Sequence, residues 1–141
     1  MKPAASRDVL MSLGLRITKA RMGILEILTK NDTPLDVEAI WSRLHKIGIR
    51  SDLATVYRTL ESFTHNQAVQ KVEFREGKFR YELMRGDHHH TICERCGRIE
   101  DIQDCPIDDI VTSIERSKKF RAHRHAFELY GVCASCQGAY A

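Results

Sequence analysis

Apolar residues in the first 65 positions recur mostly at helical spacing, and the breaks between runs separate four segments. Residues 4–13 read as a short helix with Gly14 as its stop. Thr18 stands as an N-cap before a helix reaching about residue 29. In it Met22, Leu25 and Leu28 recur on one side, with Ile24 and Ile27 beside them. Asp32-Thr33-Pro34 breaks the chain. Asp36 can cap a third helix carrying Val37, Ile40, Trp41 and Leu44 on one face, which Gly48 ends. Ser51 or Asp52 caps a fourth, DLATVYRTLESF, whose Leu53, Val56, Leu60 and Phe63 are expected to face inward. The pattern then turns strand-like. Val69, Val72 and Phe74 fall in one run, Glu76-Gly77 supplies a turn, and Phe79, Tyr81 and Leu83 alternate on the return.

Three or four short helices followed by a β-hairpin is the element order of a winged helix-turn-helix. In such a unit the last helix enters the major groove and the hairpin lies along the backbone. The fourth helix is then expected to show Thr55, Tyr57, Arg58 and Thr59 to solvent. Tyr can touch a thymine methyl or a phosphate, and Arg can read guanine or grip phosphate. Arg16, Lys19 and Arg21 stand before or at the start of the second helix, where they can hold the DNA backbone. The hairpin adds Lys71, Arg75, Lys78 and Arg80.

The second half reads differently. Residues 91–92 and 98–102 look like short strands around Cys93-x-x-Cys96, and Gly97 permits the tight bend such a knuckle needs. Pro106 suits the first turn of a helix through about residue 118, with Ile107, Ile110, Val111 and Ile114 on its expected buried face. Residues 126–132 form a strand that leads into Cys133-x-x-Cys136. The 36 residues between the knuckles exceed the usual ribbon spacing, but they accommodate one helix and one strand. The fold class is therefore α+β. Residues 1–84 make a winged-helix DNA-binding domain, 85–90 a hinge and 91–141 a metal-binding domain.

Charge supports this division. Through residue 86, 15 Lys and Arg stand against 10 Asp and Glu; beyond it the balance is 7 against 9. A basic front suits nucleic acid and an acidic, His- and Cys-rich back suits cations. No apolar run approaches the roughly 20 residues of a membrane span, and the N-terminus shows no signal-peptide pattern. A cytoplasmic location and no membrane partner are expected. In that compartment thiols stay reduced, so two C-x-x-C pairs favour a metal over disulfides. Four thiolates fill a tetrahedral zinc and leave no open position, which makes Cys93, Cys96, Cys133 and Cys136 a structural Zn²⁺ site.

The run Asp87-His88-His89-His90 offers two further ligand sets, because alternate strand residues point the same way. His88 and His90 can be joined by Glu82 and Asp101, and Asp87 and His89 by Asp108 and His125. Imidazoles with carboxylates suit Zn²⁺, Fe²⁺, Mn²⁺ or Ni²⁺. Cys105 reads as a small, half-buried thiol, with redox sensing or a regulatory metal contact as its other readings. His45, His65 and His123 read as non-ligands. The zinc-protease pattern H-E-x-x-H is absent, as is the H-x-E with P-C-x-x-C of nucleobase deaminases. No enzyme is expected.

The stretches GLRITKAR, LATVYRTLESF, YELMRGDHHHTICERCG and ELYGVCASC, taken in order, resemble the ferric-uptake-regulator (Fur) family of bacterial metal-dependent repressors. The resemblance runs from about Leu13 to Cys136. It implies a C-terminal α/β dimerisation domain, a homodimer, and metal-dependent binding to palindromic operators in double-stranded DNA, in the service of metal homeostasis. It also implies structural Zn²⁺ at the four cysteines. Glu82, His88, His90 and Asp101 match members of the family's regulatory site, for Fe²⁺ or Zn²⁺ with Mn²⁺ as a further candidate. Asp87, His89, Asp108 and His125 fall where the family places another site, with the Asp and His of the first pair exchanged. Tyr57 and Arg58 match its DNA-reading pair. Where the family often supplies a regulatory histidine, this chain has Asn31-Asp32-Thr33-Pro34-Leu35. Two other readings stand beside this one: a peroxide-sensing regulator of the same family, and a metal-buffering protein that binds no DNA.

Overall fold

In the computed structural model, residues 3–138 are described. The chain divides into two compact units, one ending at Met84 and the next beginning at Arg85. The first carries α1 (Pro3–Ser12), α2 (Lys19–Thr29), β1 (Leu35–Asp36), α3 (Val37–Lys46), α4 (Leu53–His65), β2 (Val69–Glu73) and β3 (Phe79–Leu83).

Side chains set the helix starts. Thr18 Oγ1 accepts the Arg21 backbone N–H at 3.1 Å, Asp36 Oδ1 that of Ala39 at 2.8 Å and Asp52 Oδ1 that of Thr55 at 2.7 Å. Each occupies a donor that the first turn leaves without an intrahelical partner. Of the two expected caps of α4, Asp52 is the one used.

Leu10, Ile24, Leu25, Ile40, Leu44, Val56, Leu60, Phe63, Val69 and Tyr81 are fully buried in one core. Ile27 and Leu28 join it, so α2 is buried on more than one side. Gly23 lets α2 approach closely: a Cβ there would stand 2.6 Å from Ile49 Cδ1 and 2.8 Å from Leu44 Cδ2. The small sheet runs β1-β3-β2, all antiparallel, with Leu35 opposite Tyr81 and Gln70 opposite Glu82.

Some expectations fail here for local reasons. Leu53 is 43% exposed, since it opens α4 and lies outside the core. Thr59 is buried at 7% exposure; it lies three residues after Val56 and four before Phe63, on the inward stripe. Trp41 stays at the surface, its Nε1 donating to the Ser51 carbonyl at 2.8 Å. Phe79 faces out, where the Lys71 ammonium sits 4.3 Å from its ring centroid. Phe74 is buried, but in the hairpin loop and not in a strand.

A polar cluster joins α4 to the hairpin. Tyr81 Oη donates to Glu61 Oε1 at 2.8 Å, and Lys71 Nζ reaches the same oxygen at 3.1 Å. The Tyr81 hydrogen bond holds the Glu61 carboxyl below its ordinary pKa, while burial and Glu61 push the Tyr81 phenol up. The ionised cluster therefore stabilises the fold at neutral pH. That contribution is lost as pH falls through the depressed pKa of Glu61. Glu61→Ala leaves the Tyr81 hydroxyl buried without its acceptor and is expected to cost about 1–3 kcal/mol. Tyr81→Phe removes the donor instead, leaves Glu61 paired with Lys71 and is expected to cost less. Thermal melts of the two variants should rank them in that order.

The second unit carries β4 (His89–Cys93), β5 (Ile99–Ile102), α5 (Asp108–Lys118), β6 (Glu128–Gly131) and α6 (Ala134–Gly138). Its sheet runs β5-β4-β6; β5 is antiparallel to β4, and β6 is parallel to it after the crossover through α5. The segment expected to act as a hinge, 85–90, belongs to this unit, and its last two residues already lie in β4. The apolar face expected to bury α5 is exposed instead, with Ile110 at 57% and Ile114 at 49%.

Candidate metal centres and nucleic-acid surface

The first knuckle grows from the β4–β5 hairpin. The Cys93 backbone N–H donates to Arg98 O at 2.8 Å and that of Gly97 to Cys93 O at 2.9 Å. Gly97 holds φ +76, a conformation that side chains resist. The second knuckle begins after β6 at Cys133 and ends inside α6 at Cys136, a short helix that the sequence pattern did not announce. Parallel pairing of β6 with β4 places Cys93 opposite Gly131, so the two knuckles end side by side.

The four cysteine sulfurs lie within 4.8 Å of one another. Cys96 and Cys133 are 3.7 Å apart, close to the roughly 3.8 Å that tetrahedral Zn–S bonds impose. Backbone N–H groups of Cys133 and Cys96 pull the Cys93 thiol down to about 6, whereas hydrogen bonding with Cys133 and burial push Cys136 up to about 12. Four thiols so close cannot all ionise unless a cation neutralises them. The donor set and spacing suit structural zinc.

A second cluster gathers Asp87, His89, Cys105 and His125, again within 4.8 Å. The His89 and His125 Nε2 atoms face each other at 3.2 Å. Cys105 Sγ lies 3.3 Å from His89 Nε2 and 3.4 Å from His125 Nε2. Asp87 approaches His89 at 3.6 Å and His125 at 3.2 Å. His89 is buried at 4% exposure, and Phe127 packs edge-on against its ring. The structure thus brings Cys105 into the group with Asp87, His89 and His125. Asp108, the partner expected from sequence, opens α5 outside the four. Burial raises the Cys105 pKa, and the neighbouring Asp108 and Asp87 carboxyls add to the rise.

The third group is built around β4 and β5. The ligand atoms of His88, His90 and Asp101 lie within 4.8 Å of one another. His90 pairs across the sheet with Asp101, and its Nε2 lies 3.6 Å from Asp101 Oδ1. That oxygen is buried and has no hydrogen-bond partner among the described residues, while Arg85 holds the other carboxylate oxygen at 2.9 Å. A buried carboxylate oxygen left unpaired is costly and marks a place for a cation. His88 Nδ1 approaches Gly86 O at 2.9 Å, and His88 Nε2 approaches the Arg85 guanidinium at 3.2 Å. Arginine can only donate, so the imidazole proton is on Nδ1 and Nε2 keeps a lone pair, the arrangement of a ligating histidine. Glu82 belongs to the first unit, buried on β3 with Gln70 donating to its carboxylate. Asn31, in the loop that lacks a histidine, caps the end of α2 through Ile27 O and accepts from Arg43.

On the first unit, Tyr57 is 48% exposed and Arg58 is exposed beside it. Thr55 is half-buried, with the Arg58 guanidinium 3.4 Å from its hydroxyl. Arg16 and Lys19 are exposed; Arg21 is half-buried and donates to the Arg16 carbonyl at 2.7 Å, shaping the turn before α2. Several cations expected along the hairpin are tied down. Lys78 pairs with Asp36 at 2.7 Å and Arg80 with Glu76 at 2.8 Å, while Lys71 is held by Glu61.

Known proteins bear on this arrangement. The family model described as "Ferric uptake regulator family" matches residues 12–130. The ferric uptake regulation protein of Neisseria gonorrhoeae is 34% identical over 126 residues, spanning 88% of each chain. Among solved structures, the Vibrio cholerae ferric uptake regulator matches with a TM-score of 0.79 at 30% identity, over 90% of this chain and 98% of that one. A zinc-bound manganese uptake regulator matches with a TM-score of 0.74 at 30% identity, over 90% of this chain and 97% of that one.

Proposed function

This chain belongs to the ferric uptake regulator family, whose members are metal-responsive, DNA-binding transcriptional regulators and not enzymes, and from that membership we propose that it is a cytoplasmic, homodimeric repressor of metal-homeostasis genes. Structural Zn²⁺ at Cys93, Cys96, Cys133 and Cys136 holds the second unit. A regulatory ion, Fe²⁺ or Zn²⁺ with Mn²⁺ as a third candidate, is held by His88, His90 and Asp101 together with Glu82. Because Glu82 comes from the first unit, such an ion couples the two units and fixes how the dimer offers its α4 helices to a palindromic operator.

The carrying observation is the buried, unpaired Asp101 Oδ1 facing His90. The exposed Ile110 and Ile114 supply an apolar face for a second copy. No helix of the described residues is long and apolar enough to cross a membrane.

Operator affinity titrated against each candidate metal tests this reading. It should rise with the regulatory metal by roughly 5–150-fold, the ordinary size of a coupling between two ligands. Equal affinity with and without a chelator that spares the thiolate zinc refutes the regulatory role. Arg58→Ala should weaken operator binding by about 1–3 kcal/mol with metal content unchanged. A metal buffer that binds no DNA would show no such loss.

A further inference from the structure

We propose that the hollow between α2 and α3 binds a small amphipathic anion, a carboxylate carried on an aliphatic body. The hollow measures about 570 Å³, inside the roughly 300–1,000 Å³ of ordinary small-molecule sites. None of its lining residues belongs to the three metal-binding groups.

The lining has two halves. Ile27, Ile47 and Ile49 supply the apolar one. Ile27 is buried at 7% exposure, whereas Ile47 is 55% exposed. Lys30, Arg43 and Lys46 supply the charged half, against one acid, Glu26. Among the described residues, neither Lys30 nor Lys46 has an ion-pair partner.

Arg43 is set in place. Asn31 donates through Nδ2 to Ile27 O at 2.6 Å and accepts Arg43 Nη1 on its Oδ1. The amide thus pins one guanidinium nitrogen to the end of α2. No acceptor among the described residues takes Nε or Nη2 of Arg43. A guanidinium held this way suits a carboxylate, because its planar fork is already ordered and less freedom is lost on binding.

The two halves together select the ligand. Cations in the last turn of a helix are ordinarily explained by the carbonyl ends nearby, and α3 ends on Arg43, His45 and Lys46. That explanation gives no reason for three isoleucines lining the same hollow. A neutral apolar ligand would strip water from the cations and return no hydrogen bond. An inorganic anion would satisfy the cations and leave the isoleucines wet. A carboxylate on an aliphatic body satisfies both halves at once.

Ile47 and Ile49 belong to the turn between α3 and α4, where the Ile49 N–H donates to Leu44 O at 2.9 Å. An occupant therefore rests against the segment that aims α4. Any influence on operator binding rests on the function proposed above; the site does not.

The test titrates the full chain, its thiolate zinc retained, with sodium decanoate in a calorimeter. One decanoate should bind per chain. From octanoate to decanoate each added methylene should tighten binding about fourfold. Acetate has the head without the tail, and decyltrimethylammonium has the tail with the opposite charge; neither should bind. Acetate binding as tightly as decanoate, or decyltrimethylammonium doing so, overturns the proposal.

Two variants locate the site. Arg43→Gln should weaken decanoate on the order of 10–100-fold, the size of a lost charged hydrogen bond. Ile47→Ser removes apolar lining at an exposed position, so it should weaken decanoate while leaving the ligand-free melt and zinc content unchanged. Unchanged decanoate affinity in Ile47→Ser overturns the site even where Arg43→Gln fails to fold. No decanoate binding, with operator affinity lowered in Arg43→Gln, would mean that these cations hold DNA phosphate and the proposal falls.

Discussion

Cys96→Ser is expected to strip the chain of its tightly held zinc and to melt the second unit while the first stays folded. The buried hydrophobic residues of the second unit, among those described, are Ile92, Cys93 and Ile99, whereas the first has a continuous core from Leu10 to Tyr81. A unit this small rarely stands on apolar burial alone. A structural zinc is worth about 10–16 kcal/mol in small peptides near neutral pH, more than so small a core can replace. Cys96 is itself exposed, so the substitution removes little packing and its effect reports on the ion. Zinc analysis with a thermal melt checks this, the unsubstituted chain melting with its zinc and the variant losing the second unit's transition. A variant that kept both its zinc and that transition would mean that Cys96 is no ligand. Acid should mimic the substitution, because thiolate ligands take up protons as the pH falls.

The second large effect concerns His90. Replacing it with alanine removes a nearly buried imidazole that faces the unpaired oxygen of Asp101. The exchangeable ion should then bind at least 10–100-fold more weakly, and operator affinity in saturating metal should drop to its metal-free value. His65→Ala, at an exposed position near the end of α4, is the control and should change neither. Metal titration of operator binding reads both variants. Full metal response in His90→Ala would remove this residue from the regulatory group. Asp101→Asn should act in the same direction, since an amide keeps the shape but loses the charge that balances the cation.

Regular elements were legible because their side-chain period is long enough to see. The α2, α3 and α4 helices carry both a cap and an apolar stripe, and the return strand of the hairpin has apolar residues at every second position, although its burial does not follow them at Phe79 and Glu82. The two-residue β1 has no period at all, and α6 spans five residues without an apolar face. Cysteine spacing made the thiolate group readable, since each knuckle is local in sequence. Cys105 was harder. Strand alternation sorts ligands only within strands, and Cys105 lies in the connection between β5 and α5, where direction is set by the loop. The Cys-Pro pair just before a helix was the available signal. Thr59 was expected at the surface beside Tyr57 and Arg58, although its helical separation from Val56 and Phe63 puts it on the inner stripe. The pairing of hairpin cations was hidden for another reason: Lys78 finds Asp36 from 42 residues away.

Glu61 stands one turn behind Tyr57 on α4 and is gripped there by Tyr81 and Lys71 of the hairpin. The helix is thereby indexed to the wing at a point about 5.4 Å along its axis from the reading edge. Slipping one extra residue between Arg58 and Glu61 would leave the hairpin anchored and swing the reading edge by about 100°. On the proposed reading of DNA by Tyr57 and Arg58, new operator preferences are open to exchanges at those two positions but closed to length changes in that turn.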